Sequence, residues 1–184
     1  MNHFKTLLFV SVLCLSTLAH AQIYTCASGK TSFYSTARVE NIDATSNKTN
    51  VVLNTATNDV LVRILISTFV FKNGLMQEHF NETYMESDTY PYTQFKGKIN
   101  ETVNYAVDGE YPVTVTGALL IHGVTVERTI SGTVKVAAGS ITLACNFMVP
   151  VSAHKIDIPK DKISNIAQDI KVSVYAVCTP YVKK

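Results

Sequence analysis

Through most of its length the chain is written in short runs where apolar, often β-branched residues alternate with polar ones. That period of two constrains the fold more than any other feature. A run such as Tyr111 to His122 or Val124 to Val136 turns successive side chains to opposite faces, so each reads as a strand with one face available to a core. Turn signals at Asn73-Gly74, Asp108-Gly109, His122-Gly123 and Ala138-Gly139 separate the runs, and connections this short join antiparallel neighbours.

On this reading strands are expected over residues 31–39, 60–71, 93–105, 111–122, 124–136, 140–152 and 170–179, with Asn47 to Asn50 as turn material. These seven runs are close to the about eight strands expected of the all-β antiparallel pattern of an up-and-down barrel or a sandwich. Closing eight strands into a barrel removes the exposed edges and leaves room inside for one small ligand. The segment from Val60 to Phe71 is apolar in both phases, Leu61, Leu65, Phe69 and Phe71 against Val62, Ile64, Ile66 and Val70, so its inward face stays open. No repeat or linker divides residues 22–184, which are expected to form a single domain.

One stretch breaks the alternation. Leu75, Met76, His79, Phe80 and Tyr84 recur at three- and four-residue steps beside an acidic row of Glu78, Glu82 and Glu86, which predicts one short amphipathic helix over Leu75 to Met85. Tyr90-Pro91 ends it, and a strand resumes around Phe95. About three turns of helix are not stable alone in water, so the apolar stripe must rest on the sheet, covering an end or side of the barrel. The stripe either gates a pocket or plugs it as ordinary core.

Residues 1–21 have the form of a cleaved secretory signal: Lys5, an apolar run from Leu7 to Leu18, and Ala19-His20-Ala21 before Gln22. The run is too short to span a membrane, and Leu13 ahead of Cys14 does not suit lipid attachment. A periplasmic or secreted location is therefore expected. Lys5 is the only charged residue removed, so the formal charge falls from +2 to +1, and a near-neutral surface without basic runs argues against nucleic acid as partner. Export permits disulfides. Cys26, Cys145 and Cys178 remain, and Cys26 with Cys178 is the favoured pair because a barrel closing first strand on last brings those ends together. An odd cysteine also leaves a pairing between two copies, and so a homodimer, open.

Arg63 and Arg128 fall on strands, where an inward guanidinium needs a partner or a charged ligand group, although such side chains more often reach solvent. His79 and His122 are candidates to hold a polar headgroup, against the commoner reading as backbone-bonded histidines. His154 adds no metal-ligand spacing, and no metal or other cofactor is expected. Glu78 and Glu82 have the spacing of a solvated helix face rather than two unlike carboxylate environments, and nucleophile-elbow, CxxC and phosphate-loop motifs are missing, so the sequence does not read as an enzyme.

LMQEHFNETYMESDTYP followed by FKGKI, and then LLIHGVTVERTISG at 119–132, resemble the YceI family of secreted, lipocalin-like lipid-binding proteins. The resemblance covers most of the chain from about Thr31 onward. It implies an antiparallel barrel with a lengthwise apolar pocket and a long-chain isoprenoid or other lipid as ligand. On that view Phe69, Phe71, Phe95, Leu119, Ile121 and Phe147 line a tail channel, and Met76, His79, Phe80 and Tyr84 face it from the covering helix. The alternative is a packed barrel acting as a protein-interaction or stress-response module without a lipid.

Overall fold

In the computed structural model, residues 22–36, 41–159 and 166–182 are described; the expected signal at 1–21 lies outside them. Nine strands follow the alternation: β1 Ile23–Ser35, β2 Ile42–Asn54, β3 Asp59–Leu65, β4 Val70–Phe71, β5 Tyr92–Ile99, β6 Gly109–Ile121, β7 Val124–Ala137, β8 Ser140–Pro150 and β9 Asp169–Pro180. Eight of them form a closed antiparallel barrel in sequence order, β1-β2-β3-β5-β6-β7-β8-β9, and β9 pairs back onto β1. The ninth, β4, adds two residues beside β2 through Ala44↔Phe71 and Thr45↔Val70.

Four segments differ from the sequence reading, one of them the strand expected over residues 93–105, which stops at Ile99 and gives way to a connection without helix or strand. Asn47 to Asn50 lies inside β2, a strand whose buried positions include Ser46 and Thr49. Hydroxyls satisfy one another there: Thr31 Oγ1 and Thr49 Oγ1 are 2.7 Å apart across β1 and β2, so polar residues line the wall without an unpaired group. A hydrophobic pattern cannot reveal such a strand. β1 correspondingly begins at Ile23, eight residues ahead of the expected start at Thr31.

The segment from 60 to 71 is two strands. β3 stops at Leu65, and a 3-10 turn over Ile66–Thr68 follows, held by Thr68 Oγ1 donating to the Leu65 carbonyl at 2.6 Å and Ile66 N–H donating to the Pro91 carbonyl at 2.9 Å. The turn changes the phase. Val60, Val62 and Ile64 face inward before it and Phe69 and Phe71 after it, so each apolar phase supplies the core over one part of the segment while Leu65 and Val70 stay exposed.

The barrel is packed at one end and open at the other. Tyr24, Leu53, Val60, Ile99, Val136 and Ile141 fill the packed end, with Val103 from the β5–β6 connection among them. Backbones also approach closely at the β5–β6 pair Gly97↔Gly117, where a Cβ on Gly117 would lie 2.3 Å from the Cα of Gly97. Cys26, Cys145 and Cys178 are thiols in this structure.

Candidate functional site

Inward side chains of the strands surround a cavity of about 500 Å³. Phe95 from β5, Leu119 and Ile121 from β6, and Phe147 from β8 reach it because each shares the buried phase of its strand; Phe69 and Phe71 reach it from beyond the phase change. Among the described residues that line it there is no Asp, Glu, Lys or Arg. The polar exceptions include Thr31, Ser35, Thr93, Gln94 and His79. An uncharged, apolar wall of this size suits a hydrocarbon chain and offers nothing to offset the burial of a charge.

The cover is the predicted helix, with a different ending. α1 runs over Gly74–His79, and its N-terminus is capped by Asn73 Oδ1, which accepts from Leu75 N–H at 2.9 Å and Met76 N–H at 3.4 Å. It continues as a π-helical turn over Phe80–Tyr84, closed by Met85 N–H donating to the Phe80 carbonyl at 2.9 Å. The wider turn advances the chain by one residue and carries Met85 into burial. Met76, His79, Phe80 and Tyr84 all line the cavity, whereas Leu75, expected on the same stripe, is 58% exposed.

Aromatic packing fixes the cover to the wall. The Phe80 ring stacks on Phe33 at 5.2 Å between centroids and meets Phe71 at 5.0 Å and Phe69 at 5.8 Å. Phe33 was not singled out by sequence reasoning, although its place at an alternating position of the first strand carried the signal. Ile156, Ile158 and Ile166 also line the cavity, from the connection between β8 and β9. Residues 155–159 of that connection carry no helix or strand, and 160–165 lie outside the described residues. The i, i+2 spacing of Ile156 and Ile158 was its only sequence signal.

Three expected site residues do not line the cavity. Arg63 is exposed on the outer face, its guanidinium 3.8 Å from the centroid of the Tyr92 ring, because the inward phase of β3 belongs to Val60, Val62 and Ile64. Arg128 shares the phase of Ile130 but serves the wall: the β7–β8 ladder ends at Gly132↔Cys145, and past it Nη2 of Arg128 donates to the Met148 carbonyl at 2.7 Å across the separating strands. His122 occupies the tip of the β6–β7 hairpin with φ 49°.

These tips form a polar clasp beside the cover. Nε2 of His122 meets Oε2 of Glu86, the residue just past the helical segment, at 2.9 Å, and Nδ1 donates to the His154 carbonyl at 3.3 Å. The Tyr90 ring packs edge-on against His122 at 4.7 Å. His154 is itself fully buried, donates from Nδ1 to the Val124 carbonyl at 3.1 Å, and leaves Nε2 without a partner. Burial, chiefly, holds its pKa below the ordinary histidine value; the nearby Arg128 and His122 act in the same direction, and backbone acceptors oppose them. Inside the cavity Cys145 is a neutral thiol whose pKa burial pushes up to about 11.

The YceI-like domain profile matches residues 17–178. The chain belongs to the YceI-like family. Similar solved structures agree with the barrel. A polyisoprenoid binding domain from Saccharophagus degradans, implicated in plant cell wall breakdown, superposes with a TM-score of 0.74 at 12% identity, over 88% of this chain and 99% of that one. BcnA of Burkholderia cenocepacia gives 0.70 at 19% identity, over 83% and 98%. The Campylobacter jejuni YceI protein gives 0.58 at 17%, over 74% and 81%. At these identities the likeness is one of fold. No curated protein matches the chain in sequence. No helix among the described residues is long and apolar enough to cross a membrane.

Proposed function

We propose that this YceI-like protein is an exported carrier that encloses the tail of a long-chain isoprenoid or related amphiphile within its barrel. The observation that carries the reading is the cavity of about 500 Å³ whose described lining includes no Asp, Glu, Lys or Arg. Each methylene moved from water into such a wall contributes about 0.8 kcal/mol, so fifteen supply about 12 kcal/mol, a nanomolar scale before ordering costs are subtracted. Tail burial then provides affinity, and the few polar groups near the mouth, His79 among them, choose the head.

The solved Saccharophagus domain described as polyisoprenoid binding supports the ligand class. The cavity also favours a carrier over a packed interaction module, whose barrel would have no such space. Extraction of the purified protein with organic solvent, followed by mass spectrometry, tests the proposal. A stoichiometric apolar lipid is expected. Reproducible absence of lipid, together with no uptake of a pyrene-labelled long-chain alcohol, refutes it.

A further inference from the structure

The packed end of the barrel contains two thiols on the seam where the first and last strands pair. The β1–β9 ladder runs Tyr24↔Pro180 and Thr25↔Thr179 before its register shifts ahead of Lys30↔Tyr175, and Cys26 and Cys178 are the residues that directly adjoin the Thr25↔Thr179 pair on the two strands. Cys26 also pairs with Val51 on β2, and Val51 faces inward, as does Ala176, two residues from Cys178. Both cysteines therefore present their side chains to the same interior, and Cys26 packs against the cluster that contains the fully buried Cys178.

Directly opposed residues of an antiparallel pair have Cα atoms about 4.5 or 5.5 Å apart, within the span a disulfide bridges, and Cys26 and Cys178 are each one residue from the opposed pair Thr25↔Thr179. The β1–β9 register shift falls between Thr25 and Lys30, so Cys26 lies in the loosened stretch, where its sulfur has freedom to approach. Cys145 is excluded as a partner. It pairs with Val174 while Cys178 pairs with Ile141, four residues away along β8, which is about 13 Å and beyond disulfide reach.

We infer that Cys26 and Cys178 form an intramolecular disulfide that welds β1 to β9 at the packed end of the barrel. A disulfide of an exchange partner, small or protein-borne, is the oxidant. Cys26, the more accessible sulfur, attacks it as thiolate and expels one thiol; Cys178 then attacks the mixed disulfide at Cys26 and expels the second. Two protons and two electrons leave the chain and reduce one disulfide to two thiols. Cys178 is the slow partner, since burial and then the neighbouring Cys26 push its pKa up to about 12. The bond is independent of what the cavity holds, because neither cysteine lines it.

The purified protein, incubated with oxidised glutathione, denatured and alkylated without reductant, tests the inference by peptide mapping. The peptide carrying Cys26 is expected to be joined to the one carrying Cys178, with Cys145 alkylated. Alkylation of both Cys26 and Cys178, a link through Cys145, or a link between two chains overturns it. Melting supplies a second readout on folded protein: reductant should lower the midpoint of the oxidised chain by about 5–15 °C and leave the Cys26→Ser/Cys178→Ser double variant unchanged. Equal sensitivity of the two to reductant refutes the weld.

Discussion

Replacing Phe80 with alanine separates the cover from the barrel more cleanly than any other single change. Phe80 lies within 5.8 Å of the Phe33, Phe69 and Phe71 ring centroids, three contacts that each contribute about 0.5–1.5 kcal/mol beyond area burial. Those partners remain packed in the wall when Phe80 is truncated, and Phe80 itself is only half-buried, so the loss falls below the usual cost of a core Phe→Ala change. A local cost of about 2 kcal/mol follows, equivalent to about a 30-fold rise in the open population of residues 74–85. If the cover gates the mouth, a pyrene-labelled long-chain alcohol should dissociate about 30-fold faster in stopped-flow displacement. Exchange of the Met85 amide, which bonds to the Phe80 carbonyl at 2.9 Å, should accelerate by a similar factor. Glu82→Ala, on the exposed face, should leave both rates within about twofold. Faster amide exchange in Phe80→Ala with unchanged probe release would refute the gate, because the cover would then open without opening the cavity.

Stability should fall on mild acidification. The folded pKa of His154 is depressed, so the unfolded chain binds its proton first. The contribution of the neutral ring is present above the unfolded value near 6.5 and is lost as pH falls from there toward the folded pKa. The melting midpoint at pH 5 should lie below that at pH 7.5, and His154→Gln should shrink the difference. Arg128→Met should cost about 1–2 kcal/mol in urea unfolding by leaving the Met148 carbonyl unpaired where β7 and β8 separate, whereas Arg63→Met, which removes only an outer stack on Tyr92, should cost at most about 1 kcal/mol and leave probe affinity unchanged. Gly117→Ala should cost about 1–3 kcal/mol by thermal melting, since its Cβ would meet the Lys96 carbonyl oxygen at 2.3 Å and backbone must move to admit it.

The barrel was legible because most of its wall obeys the period of two, and Met76, His79, Phe80 and Tyr84 were legible because a helix pattern stands out against strands. What stayed hidden follows from chemistry that hydrophobic patterning does not register. β2 buries Ser46 and Thr49, and hydroxyl pairs make that burial affordable. The phase change between β3 and β4 depends on a side-chain bond from Thr68 to the Leu65 carbonyl, which no count of apolar residues contains. Arg63 and Arg128 carried an inward charge only on the premise that sharing a phase with apolar residues means facing the cavity. Arg63 shares its phase with outward Leu61 and Leu65, and Arg128 turns its guanidinium to a carbonyl at the wall.

The two ends of the barrel are held by different forces, and this decides where exchange with solvent can occur. At the packed end, residues from β1, β2, β3, β5, β6, β7, β8 and β9 all enter one apolar cluster, so opening it requires unfolding the barrel. At the mouth the closure is a short helical segment anchored by Phe80, the half-buried Met76, the buried Met85 and a hydrogen-bonded clasp of Glu86 and His122. That clasp is weak where it meets water, because the Glu86 carboxylate is half exposed and screened. Glu86 and His122 also both hold positive φ, at 41° and 49°, a backbone cost that their pairing helps to offset. A segment attached in this way can lift while the barrel stays folded. On the proposed carrier reading a ligand would enter beside Phe80 rather than through the far end, so truncating that one ring should change release, whereas truncating Leu53, deep in the opposite cluster, should change stability alone.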